Sequence, residues 1–192
     1  MHKGKQITPQ KYLSDVCKIS PDEYVDFMSL MEVPYWSQAE YDVPDNWWNS
    51  DDYYNVPLDV FMTALKESLK EGYSISLGGD VSESGSSQKL GVAVVPSYDI
   101  PSEYIDENAR QMRFSNGSTT DDHAMHLVGY LDREDGTWFL LKDSGSGAHN
   151  NQTSKGYWYY HEDYVKLKMM SFTVHKDAVA KILEKFPEYS SK

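Results

Sequence analysis

The segment "TTDDHAMHLVGY" at 119–130 packs Asp121, Asp122, His123 and His126 into one short stretch. These are side chains that move protons or bind metals. A polar cap on an apolar run can also be no more than the solvated end of a strand, so chemistry requires a second group nearby. The run "FLLKDSGSG" supplies one, ending in Asp143 and Ser144. Between the two lies Arg133-Glu134-Asp135-Gly136, a short turn containing Asp-Gly. Two apolar runs around such a turn predict a β-hairpin. Folding 127–132 back on 137–142 brings both polar ends together. An imidazole beside a carboxylate is a base and its orienter, the pairing that activates a nucleophile.

Spacing leaves the histidine open. In a regular strand residues 123 and 126 point to opposite faces. Mirroring about the turn centre sets Asp143 opposite 126, which favours His126. A bulge or strong twist reverses that preference. Asp121, Asp122, His123 and His126 are also possible metal ligands, but His-x-x-His suits a helix face better than a strand. His149, His161 and His175 read as surface or structural residues. Gly78-Gly79-Asp80 lacks the context of a phosphate loop. Cys17 is the one thiol. It falls in line with Tyr12, Leu13 and Val16 at helical spacing, which predicts a packed, unreactive side chain.

Several elements must hold these groups. Thr8-Pro9 reads as a helix N-cap with proline at the first position. Residues 34–56, rich in aromatics, Asp, Asn and Pro, read as a long ordered loop. Its rings either plug the loop onto the domain or form a platform for sugar or peptide. Pro57 starts the clearest helix, with Leu58, Phe61, Leu65 and Leu69 on one stripe and Gly72 ending it. "YSISL" alternates as a strand that "GGD" terminates. Residues 82–91 read as loop and "GVAVVP" as a short strand. "PSEYIDENARQMRF" reads as a helix with a stripe of Tyr104, Ile105, Ala109 and Met112. "GYWYY" and "MMSFTVH" are further strands, and 176–186 is helical up to Pro187. Helices come first and strands later, which predicts the α+β class.

Composition narrows the field. The 192 residues are 40% hydrophobic, enough for a core and against general disorder. The net charge of −12 gives no attraction to phosphate backbones, so no nucleic-acid partner is expected. One cysteine excludes an internal disulfide framework and a cysteine-only zinc site. No apolar run is long enough for a membrane helix, and "MHKGKQITPQ" is not a signal peptide. A cytoplasmic location is the expectation.

"DDHAMHLVGY", a short turn, "WFLLKDSGSG" and "KGYWYY" resemble the C-terminal half of papain-like cysteine peptidases. There a His opens one strand, an Asn-Ser-Trp-Gly motif ends the next, and a Gly-Tyr strand follows. "ITPQKYL", "DNWWNSDDYYNVPLDVFMTALKESLKEGYSISLGGDV", "TTDDHAMH" and "EDYVKLKMMSFTVHKDAV" resemble, in order, segments of the bleomycin hydrolase and aminopeptidase C branch. The resemblance covers residues 4–182. It implies the β-rich half of a papain-like fold across 1–192, with His123 as catalytic histidine and Asp143 in the place of the orienting asparagine. It implies a cysteine aminopeptidase acting on peptides near free N-termini, with no cofactor or metal, in hexamers when complete. The family's nucleophilic Cys and its preceding Gln belong to an N-terminal half without a counterpart here. Cys17 matches a region after that nucleophile. Asp-Ser-Gly-Ser replaces the expected motif, so an aromatic shield is lost and a carboxylate faces the imidazole. In the resembled branch the last residues reach into the cleft, a part that would fall to Lys192. A non-catalytic remnant that binds peptide or serves a structural role is the alternative. A carbohydrate-binding module, suggested by Trp47-Trp48 and Tyr53-Tyr54, is a third.

Overall fold

In the computed structural model, residues 2–150, 152 and 154–187 are described; Lys192 lies outside them. The helices are α1 (Pro9–Lys11), α2 (Leu58–Lys70), α3 (Glu107–Ser115), α4 (Ser146–His149), α5 (Glu162–Lys168) and α6 (Ala180–Leu183). The strands are β1 (Tyr24–Met28), β2 (Ser37–Ala39), β3 (Tyr53–Asn55), β4 (Ile75–Gly79) and β5 (Ser86–Ser87), then β6 (Val92–Ala93), β7 (His123–Arg133), β8 (Gly136–Lys142), β9 (Tyr157–His161) and β10 (Met169–His175). All ten form one sheet in the order β2-β3-β1-β10-β4-β7-β8-β9-β6-β5. The α+β class read from the sequence is borne out.

The predicted hairpin is β7–β8, closed where Arg133 pairs with Gly136. Gly136 has φ +120, a left-handed conformation that favours glycine. Helix α2 begins after Pro57 and buries Leu58, Phe61 and Leu65, as its stripe requires. Phe61 meets Phe172 of β10 edge-on at 4.9 Å, and Phe172 stacks on Phe27 of β1 at 5.0 Å. Each fully buried phenyl contributes about 2–3 kcal/mol by removal from water.

Five expectations need correction. First, Cys17 is exposed, not packed. Helix α1 gives way after one turn, capped as predicted by Thr8, to a π-helical turn over Tyr12–Cys17 that buries none of its residues. The wider winding breaks the periodicity on which the expected buried face depended.

Second, residues 34–56 are not all loop. They contain β2 and β3, pinned by buried Asn55, whose amide donates to the carbonyls of Leu30, Val33 and Pro34. Third, Ser86–Ser87 within 82–91 pairs with β6. Fourth, the 101–114 segment is helical but not continuous: a 3-10 turn over Ser102–Tyr104 precedes α3, which starts at Glu107, where Asp106 Oδ1 accepts from Ala109 N–H at 2.8 Å. Tyr104 and Met112 are exposed, and the side chain α3 buries is Arg110. Its guanidinium donates to the carbonyls of Ser29 and Lys166 and lies 5.1 Å from the Phe61 ring.

Fifth, Gly78 and Gly79 are the last two residues of β4 and not the loop after it, so the strand runs two residues further than expected and stops before Asp80. A Cβ at Gly79 would sit 2.3 Å from the Lys168 carbonyl oxygen. The strand needs glycine there because the α5–β10 junction crosses against its backbone. Gly79 is in turn the register partner of His123.

Candidate active site

His123 opens β7 and Asp143 follows the last residue of β8. Their side chains meet: His123 Nε2 lies 2.8 Å from Asp143 Oδ1. His126 does not take part. It faces the other side of the sheet, exposed, opposite Lys142. The cause is a bulge. Leu127 pairs with Leu141 but Gly129 with Leu140, so Val128 is one residue more than β8 can match. Past the bulge every β7 side chain changes face relative to simple mirroring. Asp143 thereby joins the face of His123, Met125 and Leu127.

Three donors fix the carboxylate. Oδ1 accepts from Gly145 N–H at 2.7 Å and from the imidazole. Oδ2 accepts from the Trp158 indole at 3.1 Å. Burial pushes the Asp143 carboxyl up, but the Gly145 amide, His123 and Trp158 together outweigh it and hold it below the usual carboxylate range. An ionised carboxylate only accepts, so Nε2 of His123 carries the donated proton. In the neutral ring Nδ1 then keeps its lone pair, and no described group bonds to it. The His123 side chain is 29% exposed, against 8% for Asp143. The ring is therefore held on one edge and open on the other.

Sequence reasoning missed Trp158. The loop does lack the tryptophan of the resembled motif, yet an indole reaches the pair from β9. The signal was the strand period: Trp158 pairs with Leu141, two residues before Asp143. Gly145, where that motif carries tryptophan, has its own constraint. A Cβ there would lie 3.1 Å from both carboxylate oxygens of Asp143.

The other two acids are occupied separately. Asp122 Oδ1 accepts from Val81 N–H at 3.0 Å, fastening the next loop. Asp121 Oδ2 accepts from Tyr41 O–H at 2.9 Å and Ser171 O–H at 3.2 Å. Burial pushes the Asp121 carboxyl up to about 6, against the pull of those two hydroxyls. Asp121 lines a cavity of about 280 Å³ with Tyr41, Tyr53 and Trp48. In the 34–56 segment, then, Tyr41 is a buried plug, whereas Trp47 and Trp48 are 80% and 59% exposed. A second hollow of about 310 Å³ lies over His123, bounded by Asp122, Asp143, Gly145 and Trp158. Among the described residues no three His, Cys, Asp or Glu side chains are grouped to hold a metal. Among them, too, no helix is long and apolar enough to cross a membrane.

This arrangement can accept a proton at Nδ1 from a nucleophile placed in the open hollow, and can return it. Comparison with known proteins places it in context. The chain is similar in structure to PepW from Lactobacillus rhamnosis HN001, with a TM-score of 0.72 at 18% identity. The match covers 94% of this chain and 42% of that one, so the chain spans less than half the length of PepW. No curated protein matches. The Peptidase C1-like family matches over residues 1–190. That span includes the hairpin, both site residues and the packing beneath them, and the chain belongs to the Peptidase C1-like family.

Proposed function

We propose that this chain supplies the histidine and its orienting carboxylate to a cysteine-type aminopeptidase. The thiol would come from an N-terminal half of the peptidase domain, a part additional to residues 1–192. The observation that carries the reading is the His123–Asp143 contact with Nδ1 left open. In the reaction, Nδ1 takes the thiol proton as sulfur attacks the scissile carbonyl. The same proton later goes to the leaving amine. Asp143 keeps the ring oriented and opposes the positive charge formed on it. Peptides with free N-termini are the substrates, and no cofactor is required. A hexamer, as the family resemblance implies, is the assembly proposed for the complete enzyme.

Cys17 favours a second reading. It is exposed on a turn that buries nothing, and it does not line the hollow over His123. A chain acting alone would then be a non-catalytic, peptide-binding or structural member of the family. Hydrolysis of an aminoacyl reporter separates the two, measured with an intact mass of the preparation. Turnover that is blocked by a thiol alkylator, retained in Cys17→Ala and lowered about 10²–10⁴-fold in His123→Ala supports the first. Alkylator-insensitive turnover, or none from a preparation whose companion chain carries the expected cysteine, overturns it.

A further inference from the structure

Lys168, the last residue of α5, has no exposed surface, which among the described residues is true of no other lysine. Its ammonium lies 2.7 Å from Glu83 Oε2 and 5.1 Å from the centre of the Tyr164 ring, and it donates to the Ser84 carbonyl at 3.3 Å. The backbone carbonyl of the same residue accepts from Asp80 N–H at 3.0 Å. One residue thus holds both ends of the turn 80–84 that follows β4. Between Val81 and Gly85 that turn reads Ser-Glu-Ser, with no apolar side chain to bury. Polar contacts must therefore place it.

Taking an ammonium and a carboxylate out of water is costly, and apolar side chains of like volume often pack at least as stably. Such side chains could not reach on to the next element. The other oxygen of Glu83 accepts from the hydroxyl of Thr119, which is 1% exposed. Asp80 Oδ2 accepts from Thr120 N–H at 2.8 Å, and Asp122 Oδ1 accepts in return from Val81 N–H at 3.0 Å. Residues 119–122 run directly into His123. The same turn leads into a wall, since Val81 and Ser86 line the hollow over the imidazole. The series Lys168–Glu83–Thr119 therefore ties the α5–β10 junction both to that wall and to the start of β7. Apolar contact is indifferent to direction, whereas a charge-assisted hydrogen bond fixes it.

We propose that Lys168 and Glu83 are positioning residues, whose buried ion pair sets the wall of the hollow and the approach to His123 without touching the reacting atoms. Its bearing on catalysis rests on His123 acting as the base; its bearing on geometry does not. The whole chain, isotope-labelled, is compared by NMR as wild type, K168M, K168M/E83L and E83D. K168M leaves Glu83 without its cation and should unfold at lower urea concentration. K168M/E83L removes both charges and should recover most of that loss. Even so, its Val81 and Thr120 amides should exchange about 10-fold faster or more, and the titration midpoint of its His123 ring should move. Wild-type exchange and titration in the restabilised double variant would mean that the pair only holds the fold together, and overturn the proposal. If the double variant does not fold, E83D decides. It keeps the charge but is one methylene too short to grip Lys168 and Thr119 together, so the same signals should move by less; wild-type signals there also overturn the proposal. K166M, which breaks the Lys166–Glu162 pair on the same helix, should move none of them, and an equal response from it counts against the proposal. In the complete peptidase K168M/E83L should lower kcat by about 10-fold or more with KM little changed, and an unchanged kcat overturns the catalytic bearing. A wild-type enzyme without turnover would instead defeat the thiol reaction alone, leaving exchange and titration to judge the positioning.

Discussion

His126 stands opposite Lys142 and not opposite Asp143, because β7 carries one residue more than β8 between the turn and the site. Leaving that residue, Val128, out of the ladder decides which histidine can reach the carboxylate. With Val128 paired to Leu141 instead, residues 123–127 would turn over as a block. His126 would face Asp143, and Met125 and Leu127, now 4% and 0% exposed, would point into solvent. The geometry of the candidate site and the packing of the core therefore share one irregularity.

Deleting Val128 tests this directly. Leu127 and Gly129 then become neighbours while keeping their partners Leu141 and Leu140, so His123, Met125 and Leu127 keep their face. The deletion should leave the His123 ring resonances in place and change stability by no more than about 1 kcal/mol in urea unfolding, as should Val128→Ala, which keeps the extra residue and trims its side chain. A deletion that moves those resonances, or that costs about 4 kcal/mol or more as exposing Met125 and Leu127 would, shows that the pairing around Val128 is not what sets the face.

The bulge also explains what the sequence could and could not disclose. Turn chemistry at Asp135-Gly136 and the apolar runs around it predict the hairpin correctly. Counting back from the turn then gives the wrong histidine, because the isolated Gly129 in "HLVGY" marks a place for a bulge without saying that a residue is left unpaired there. The family resemblance points to His123 by likeness, and the structure supplies the physical cause. Helix α2 was legible because its stripe is continuous and its start and stop residues agree. Arg110 was not, since a guanidinium buried against two backbone carbonyls and a phenyl ring looks polar in any pattern of hydrophobicity. Cys17 was misread because its helix changes winding after a single turn.

Asp143 should make stability depend on pH in a defined direction. Its carboxyl is held below the usual range in the fold, so its contribution is full above the unfolded value of about 3.8. It is lost as pH falls through the lower folded value. Asp143→Asn keeps one acceptor oxygen but turns an NH₂ toward either the Trp158 indole or the imidazole. That leaves a buried donor unpaired and should cost about 1–3 kcal/mol at pH 7. The gap between wild type and variant should narrow below pH 4, where the wild-type carboxyl takes up its proton. A gap that stays constant down to pH 2.5 would show that the charge on Asp143 is not what holds the pair.

Asp121 should behave in the opposite sense. Its folded value of about 6 lies above the unfolded one, so the native state binds more protons between about pH 4 and 6. This group's contribution is favourable at low pH and falls as pH rises through that window. Asp121→Asn preserves an oxygen for Tyr41 and Ser171 while removing the charge. The variant should be more stable than wild type at pH 7, by up to about 3 kcal/mol, and no more stable at pH 4. Chemical denaturation at the two pH values checks this, and a variant destabilised at pH 7 would contradict it.

Gly79 gives the sharpest test of how the sheet positions His123. Its amide plane faces the α5–β10 junction so closely that a methyl group would overlap the Lys168 carbonyl oxygen and the Met169 Cα. Backbone cannot swing aside as a flexible side chain can, so Gly79→Ala must push β4 away from β10 or break their pairing. A loss of about 1–3 kcal/mol is expected. Gly72→Ala is the control, because that position has open space and only its φ of +90 to strain. It should cost about 1 kcal/mol and leave the site unchanged. Because His123 is the register partner of Gly79, the first variant should also shift the His123 ring resonances and the Trp158 indole N–H, and the second should not. Ring resonances that stay fixed in a destabilised Gly79→Ala protein would mean that β8 and β9, not β4, set the position of the histidine.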